Sequence, residues 1–153
     1  MITLITGGSR SGKSAFAQQQ AEQIDGPRLF IATCPRIDSE MDERILRHRQ
    51  DREGLGWQTT EVPLRLIEEL ERTQAGTTVL IDCLTLWTNN LMHEAEQHQQ
   101  DISEDQISAL AEALAQAACN HQGQVFLVTN EVGLGVIPDN PLVRRYRDLI
   151  GRC

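Results

Sequence analysis

Short apolar runs alternate along this chain with longer segments of helical periodicity. Four runs rich in β-branched residues, Ile2–Thr6, Leu29–Thr33, Thr77–Ile81 and Val125–Thr129, have the length of strands and no polar alternation. That pattern predicts strands buried on both faces. Trp57–Val62 reads as a shorter extended piece. Ala15–Ile24 predicts a helix that Asp25-Gly26-Pro27 ends. Asp38 to about Glu53 predicts a peripheral helix, since it is densely charged and its apolar content is little more than Met41 and Ile45. Asp38 suits its N-cap, with Glu40, Asp42 and Glu43 near its positive end. Leu64–Arg72 places Leu66, Ile67 and Leu70 on one side of a small amphipathic helix.

Leu84 to about His93 is helical in pattern, and a polar stretch follows through Gln100. Ser103-x-x-Gln106 has the form of a capping box. It opens a long helix with Ile107, Leu110, Ala111, Leu114 and Ala118 at helical spacing, closed by Gly123. After a loop over 130–141, Leu142, Val143, Tyr146, Leu149, Ile150 and Cys153 recur at helical spacing. Strands and helices in this order predict βαβ units. The expected fold is α/β: one domain over 1–153, with a mostly parallel sheet carrying helices on both faces.

Charge narrows the ligands. Fourteen Lys and Arg face 22 Asp and Glu, a formal net charge of -8. Such a surface repels nucleic-acid backbone and anionic membrane, so a bound anion needs a local basic or backbone site. No segment approaches the roughly 20 apolar residues of a membrane span, and the N-terminus lacks a signal-peptide pattern. A cytoplasmic protein is expected. Cys34, Cys83, Cys119 and Cys153 have no metal or disulfide spacing, and Cys83 and Cys119 are expected as small apolar core residues. His93, His98 and His121 are expected at the surface, and Trp57 and Trp87 in core or edge packing.

Chemistry enters at Gly7-Gly8-Ser9-Arg10-Ser11-Gly12-Lys13-Ser14, which fits G-x-x-x-x-G-K-[ST] between a strand and a helix. The glycines let backbone N–H groups wrap phosphate oxygens at a helix start. Lys13 offers a cation to the β- and γ-phosphates, and the Ser14 hydroxyl can ligate Mg²⁺. Asp82, at the end of TTVLI, sits where a strand-end acid holds Mg²⁺ directly or through water; capping the next helix is its other reading. The residues speak against a GTPase switch, because Thr129-Asn130-Glu131-Val132 lacks the Lys of a guanine reader. Asp51-Arg52-Glu53-Gly54 matches D-x-x-G in letters but ends a charged helix.

In the charged segment, Arg44, His48 and Arg52 fall on one helical face. Nearby guanidiniums bias an imidazole toward its neutral, nucleophilic form and can hold phosphate oxygens during attack. A solvated basic face balanced by Asp42, Glu43 and Asp51 is the other reading. Arg144, Arg145 and Arg147 are open in the same way, between substrate phosphate, a neighbouring subunit and an exposed helix face.

In combination, GGSRSGKS, IAT…DSEMDERILRHRQDR…W, LIDCLTLW…NL and LVTNEVGLGVIPDNPLVRRYRDLIGR cover essentially the whole chain. E-M-x-x-R-I-x-x-H and N-E-V-G-x-G-x-x-P are its specific motifs. The set resembles the bifunctional adenosylcobinamide kinase/adenosylcobinamide-phosphate guanylyltransferase family of cobalamin biosynthesis, a P-loop NTPase-like fold. The resemblance implies two reactions. ATP or GTP phosphorylates the aminopropanol hydroxyl of adenosylcobinamide. GTP then guanylylates a histidine, and the GMP passes to adenosylcobinamide phosphate to give adenosylcobinamide-GDP.

The family's histidine falls on His48. Its nucleotide contacts fall on Gly7, Gly8, Ser9, Arg10, Ser11, Gly12, Lys13 and Ser14, on Thr33, Cys34 and Pro35, on Arg49, Gln50, Asp51 and Arg52, and on Glu61 and Asp82. Ser14 and Asp82 are the expected Mg²⁺ ligands, and Asp82 and Glu131 are alternative bases for the substrate hydroxyl. The resemblance further implies a homo-oligomer, a trimer, and a helix and strand after Gly151-Arg152 that this chain lacks. A P-loop kinase of another small alcohol without a covalent intermediate, and a non-catalytic nucleotide-binding module, are the competing readings.

Overall fold

Five strands, β1 (Ile2–Gly7), β2 (Arg28–Ala32), β3 (Trp57–Glu61), β4 (Thr78–Asp82) and β5 (Val125–Asn130), form one sheet in the order β1-β5-β4-β2-β3. Every pairing is parallel. This computed structural model describes residues 1–35, 46, 50, 52–135 and 137–153. The helices that lie wholly among these residues are α1 (Lys13–Glu22), α2 (Leu66–Arg72), α3 (Leu84–Gln97), α4 (Glu104–Asn120) and α5 (Pro141–Arg152). The expected α/β architecture is therefore present, and Trp57–Glu61 is a full edge strand rather than a stray extended piece. Of the predicted charged helix, Leu46 and Gln50 are helical and exposed, and most of the rest lies outside the described residues.

Side chains alternate across the strands and sort the core into two layers. Ile31, Val79, Ile81, Val125 and Leu127 meet Leu66 and Leu70 of α2, Leu84 and Trp87 of α3, and Leu114, Ala117 and Ala118 of α4. On the other face, Ile5, Phe30, Leu80, Phe126 and Val128 meet Ala17 and Ala21 of α1. Those two alanines, one turn apart, let α1 lie close to the sheet, and its N-terminus follows directly from the end of β1.

Two helix starts, those of α4 and α5, are fixed by side-chain caps. Ser103 Oγ accepts from the Gln106 N–H at 3.2 Å while Gln106 Oε1 accepts from the Ser103 N–H at 2.8 Å, completing the expected capping box. Asn140 Oδ1 accepts from the Leu142 and Val143 N–H groups, and Pro141 fills the first turn of α5.

Three expectations are corrected. β1 is not buried on both faces: it is an edge strand, and Leu4 is 60% exposed because no helix covers it. Cys119 is exposed, since it follows buried Ala118 by one residue and so turns about 100° away from the core. His121 is half-buried, with Nε2 2.8 Å from the Thr77 carbonyl, whereas His93 and His98 are exposed as expected. Trp87 is 1% exposed and donates Nε1–H to Leu64 O at 2.7 Å. Trp57 meets Phe30 edge-to-face and donates to Glu22 Oε1, so both tryptophans serve packing.

Gly123, in the turn into β5, lies so close to the neighbouring turn that a Cβ would collide with the Thr77 carbonyl. Gly123→Ala is expected to lower stability by about 1–3 kcal/mol, read as a fall in the urea midpoint.

Candidate active site

Parallel pairing brings all five carboxyl strand ends to one edge of the sheet. The register aligns Gly7 with Asn130, Asp82 with Val128, and Ala32 with both Asp82 and Glu61. Ligands in open α/β sheets bind at this edge. Neighbouring strands are about 4.8 Å apart, so Asp82 stands two strands, about 10 Å, from β1, and Glu61 about 19 Å. The sequence-predicted positions Gly7–Ser14, Thr33–Pro35, Glu61, Asp82 and Glu131 thus form a row along one rim. A shallow cavity of about 440 Å³, lined by His121, Thr78 and Gly123 among others, lies at the opposite edge and contains none of them.

The glycine-rich loop has the geometry of an anion cradle. Arg10 at φ 57° and Gly12 at φ 85° are left-handed, which curls the backbone in the way that turns successive N–H groups toward one point. At Gly12, the N-cap of α1, a side chain would be strained. Lys13 Nζ donates to the Gly8 carbonyl at 3.1 Å, folding its ammonium back over the loop. Ser14 follows in the first turn. The Glu131 N–H donates to Gly7 O at 2.9 Å and ties the end of β5 to the loop's first residue.

The two candidate bases differ. Glu131 Oε1 accepts from the N–H groups of Gly133 (2.6 Å) and Leu134 (3.2 Å), so this carboxylate is spent on shaping its own turn. Asp82 makes no side-chain hydrogen bond or ion pair among the described residues, and it is half-buried at the rim. Among the described residues no three His, Cys, Asp or Glu side chains cluster as a metal cage.

Thr33 is fully buried, with each polar group engaged: its N–H donates to Asp82 O, its hydroxyl donates to Cys83 O and accepts from the Cys83 N–H. Cys34 and Pro35 follow it in the loop and are half-buried. Arg52 is not on a solvated face. It is 5% exposed, and its guanidinium lies 3.6 Å from the centroid of the Phe30 ring, midway along β2. Arg28 reinforces that corner by donating to the carbonyls of Ala21, Glu22 and Ile24 at the end of α1 and to Leu55 O. His48, Arg49 and Asp51 lie outside the described residues, and Gln50 is helical and exposed. The α5 arginines are engaged within the chain. Arg144 donates to Pro138 O and Asp139 O, Arg145 pairs with Asp101, and Arg147 pairs with Asp148.

A hub that sequence reasoning missed is Thr85. Its hydroxyl accepts from the Asn130 N–H at 2.7 Å and bonds the Thr129 hydroxyl at 3.2 Å, while its carbonyl accepts from the Tyr146 hydroxyl at 3.3 Å. The available signal was polar residues inside the otherwise apolar L-T-L-W-T-N-N-L-M stretch. Burial pushes the Cys83 thiol up, with the Asp82 charge adding to it, so Cys83 stays protonated and is no nucleophile. Tyr146 is pushed up to about 12, first by burial and then by charge at Cys83.

Comparison with known proteins follows the same residues. The family profile described as cobinamide kinase / cobinamide phosphate guanyltransferase matches residues 3–153. The bifunctional adenosylcobalamin biosynthesis protein CobP of Pseudomonas aeruginosa is 41% identical over 152 residues, covering 99% of this chain and 83% of the relative. The bifunctional adenosylcobalamin biosynthesis proteins CobU of Escherichia coli (35% over 162 residues) and Salmonella typhimurium (36% over 160) each cover 99% of this chain and 87% of the relative.

Tyr146 yields a pH test. Its folded pKa of about 12 exceeds the unfolded value of about 10, so its contribution is complete below pH 10 and is lost as pH rises toward 12. Tyr146→Phe is expected to cost about 1 kcal/mol at neutral pH through the lost hydrogen bond. It should also fall less steeply than the parent above pH 10, read from urea midpoints across the alkaline range.

Proposed function

The chain belongs to the cobinamide kinase / cobinamide phosphate guanyltransferase family, and from that premise we propose how its own residues share the two reactions. It is a bifunctional enzyme of cobalamin biosynthesis, a kinase of adenosylcobinamide and a guanylyltransferase to its phosphate. Its resident chemistry is a single nucleotide-binding unit. The observation that supports it best is the rim, where the glycine loop, the α1 N-terminus, Asp82 and the Cys34–Pro35 turn share one edge.

In the kinase step the loop N–H groups and Lys13 hold the β- and γ-phosphates of ATP or GTP. The substrate hydroxyl oxygen bonds to the γ-phosphorus as the bond to the bridging oxygen breaks, and the hydroxyl proton passes to a base. Asp82 fits that base better than Glu131, whose carboxylate already accepts two backbone N–H groups. Ser14 and Asp82 are the groups that would hold Mg²⁺, directly or through water. When bound, the ion neutralises charge on the phosphates.

In the guanylyl step a neutral His48 nitrogen bonds to the α-phosphorus of GTP, and pyrophosphate leaves with the electrons of the broken P–O bond. Lys13 and the loop stabilise its charge. A phosphate oxygen of adenosylcobinamide phosphate then attacks the same phosphorus, and the P–N bond returns its electrons to His48. Two displacements spare the site from holding intact GTP and a bulky corrinoid together. Gly7 to Ser14, Cys34, Pro35, Arg49, Gln50, Asp51, Glu61 and Asp82 are the proposed nucleotide neighbours. Thr33 acts in this reading from beneath them through its hydrogen bonds, and Arg52 through its packing on Phe30. A cytoplasmic homo-oligomer, a trimer by family likeness, completes the reading. No helix among the described residues is long and apolar enough to cross a membrane.

Incubation with α-labelled GTP tests the covalent step. The parent is expected to carry acid-labile, alkali-stable GMP, and His48→Ala to lose it while keeping measurable cobinamide phosphorylation. Full labelling of that variant would exclude His48, and γ-phosphate transfer without any adduct in the parent would indicate a plain kinase. Lys13→Ala is expected to lower kcat/KM of both reactions by at least about a hundredfold, the scale of losing one preorganised charge contact to the transferring group. Unchanged kinetics would remove the glycine loop from the mechanism.

A further inference from the structure

Two loops leave the rim side by side, Thr33–Pro35 after β2 and 62–65 after β3, and beyond the hydrogen bond from Val62 N–H to Ala32 O no strand pairing fixes their spacing. A side chain from α3 does. Asn90, 8% exposed, donates both protons of its one amide nitrogen, to Thr33 O at 2.8 Å and to Pro63 O at 2.9 Å. One turn earlier, Trp87 donates to Leu64 O in the same loop. Thr33 in turn brackets the backbone of Cys83, next to Asp82. A leucine at position 90 would fill similar space but would leave the buried Thr33 carbonyl and the part-buried Pro63 carbonyl without this donor. The amide thus joins the rim segments after β2 and β3, and Thr33 links them to the segment after β4.

We propose that Asn90 is a positioning residue for the nucleotide: by holding Thr33 O and Pro63 O on one nitrogen, it sets the Cys34–Pro35 turn at a fixed height beside Asp82. This rests on the reading that Cys34 and Pro35 meet the nucleotide. Asn90 itself touches no reacting atom. Its removal loosens the wall that receives GTP and leaves the phosphate loop and Lys13 in place, so binding suffers and the chemical step does not.

The test is steady-state kinetics of both reactions on the full chain with Asn90→Ala and the isosteric Asn90→Asp, which has no protons to donate at neutral pH. A Pro35→Gly variant reports on the turn itself. Asn90→Ala is expected to raise the KM for GTP about tenfold with kcat within about threefold of the parent, the size of one or two lost hydrogen bonds in binding. Alkylation mapped by peptide mass should speed up at Cys34, and buried Cys83 should stay protected as a sign of an intact core. An unchanged KM in both Asn90 variants, with a raised KM in Pro35→Gly, overturns the role of Asn90. An unchanged KM in Pro35→Gly as well overturns the reading of the turn, and the proposal with it. Equal losses in kcat and KM with Cys83 exposed, or no folded protein from either Asn90 variant, assign Asn90 to the core alone and overturn the proposal too.

Discussion

The structure depends on one constraint: all five strands run the same way. Parallel pairing requires a crossover between each pair of strands, and those crossovers supply the helices that cover both faces. It also stacks every carboxyl strand end along one rim. Residues as distant in sequence as Gly7, Glu61, Asp82 and Asn130 become neighbours in a row because the hydrogen-bond register leaves them nowhere else. The site is thus a consequence of the ladder, and each loop is free to carry a different group.

A rim made of loops needs bracing, since loops lack ladder partners. The chain solves this with three buried polar side chains, Thr85 and Asn90 of α3 and Thr33 just after β2. Thr85 holds the end of β5, Thr33 holds the end of β4, and Asn90 holds the loops after β2 and β3. Each such bond is worth only about 0.5–1.5 kcal/mol net, yet breaking one strands a buried partner at a cost of about 1–3 kcal/mol. That asymmetry makes the seam a device for geometry more than for stability.

Binding a polyanion on a chain of net charge -8 imposes a second condition. The general field repels triphosphate, so attraction has to be local. The glycine loop meets that condition with backbone N–H groups, the positive end of α1 and one ammonium, all within a few residues of chain. Among the described residues most other cations are engaged elsewhere: Arg28 caps α1, Arg52 lies on Phe30, and Arg144, Arg145 and Arg147 bind carbonyls or carboxylates of their own chain. Lys13 and Arg10 are the cations of the loop itself.

Local chemistry was legible along the chain. The G-x-x-x-x-G-K-S spacing, the Ser103–Gln106 box and the apolar runs each act within a few residues, so the phosphate loop, the long helix and four of the strands could be read directly. Which strand lies where could not, because strand order is set by long-range packing. The same apolar run that reads as doubly buried at Ile2–Thr6 is an edge strand with Leu4 in solvent. Arg52 looked like part of a solvated basic face until Phe30, 22 positions away, took its guanidinium. The sequence by itself determined the phosphate-binding chemistry and the alternation of strand and helix. Only the tertiary structure decided that the Glu131 carboxylate is engaged in its own turn and which polar residues hold the rim, because a side chain's partners depend on neighbours that the linear order does not supply.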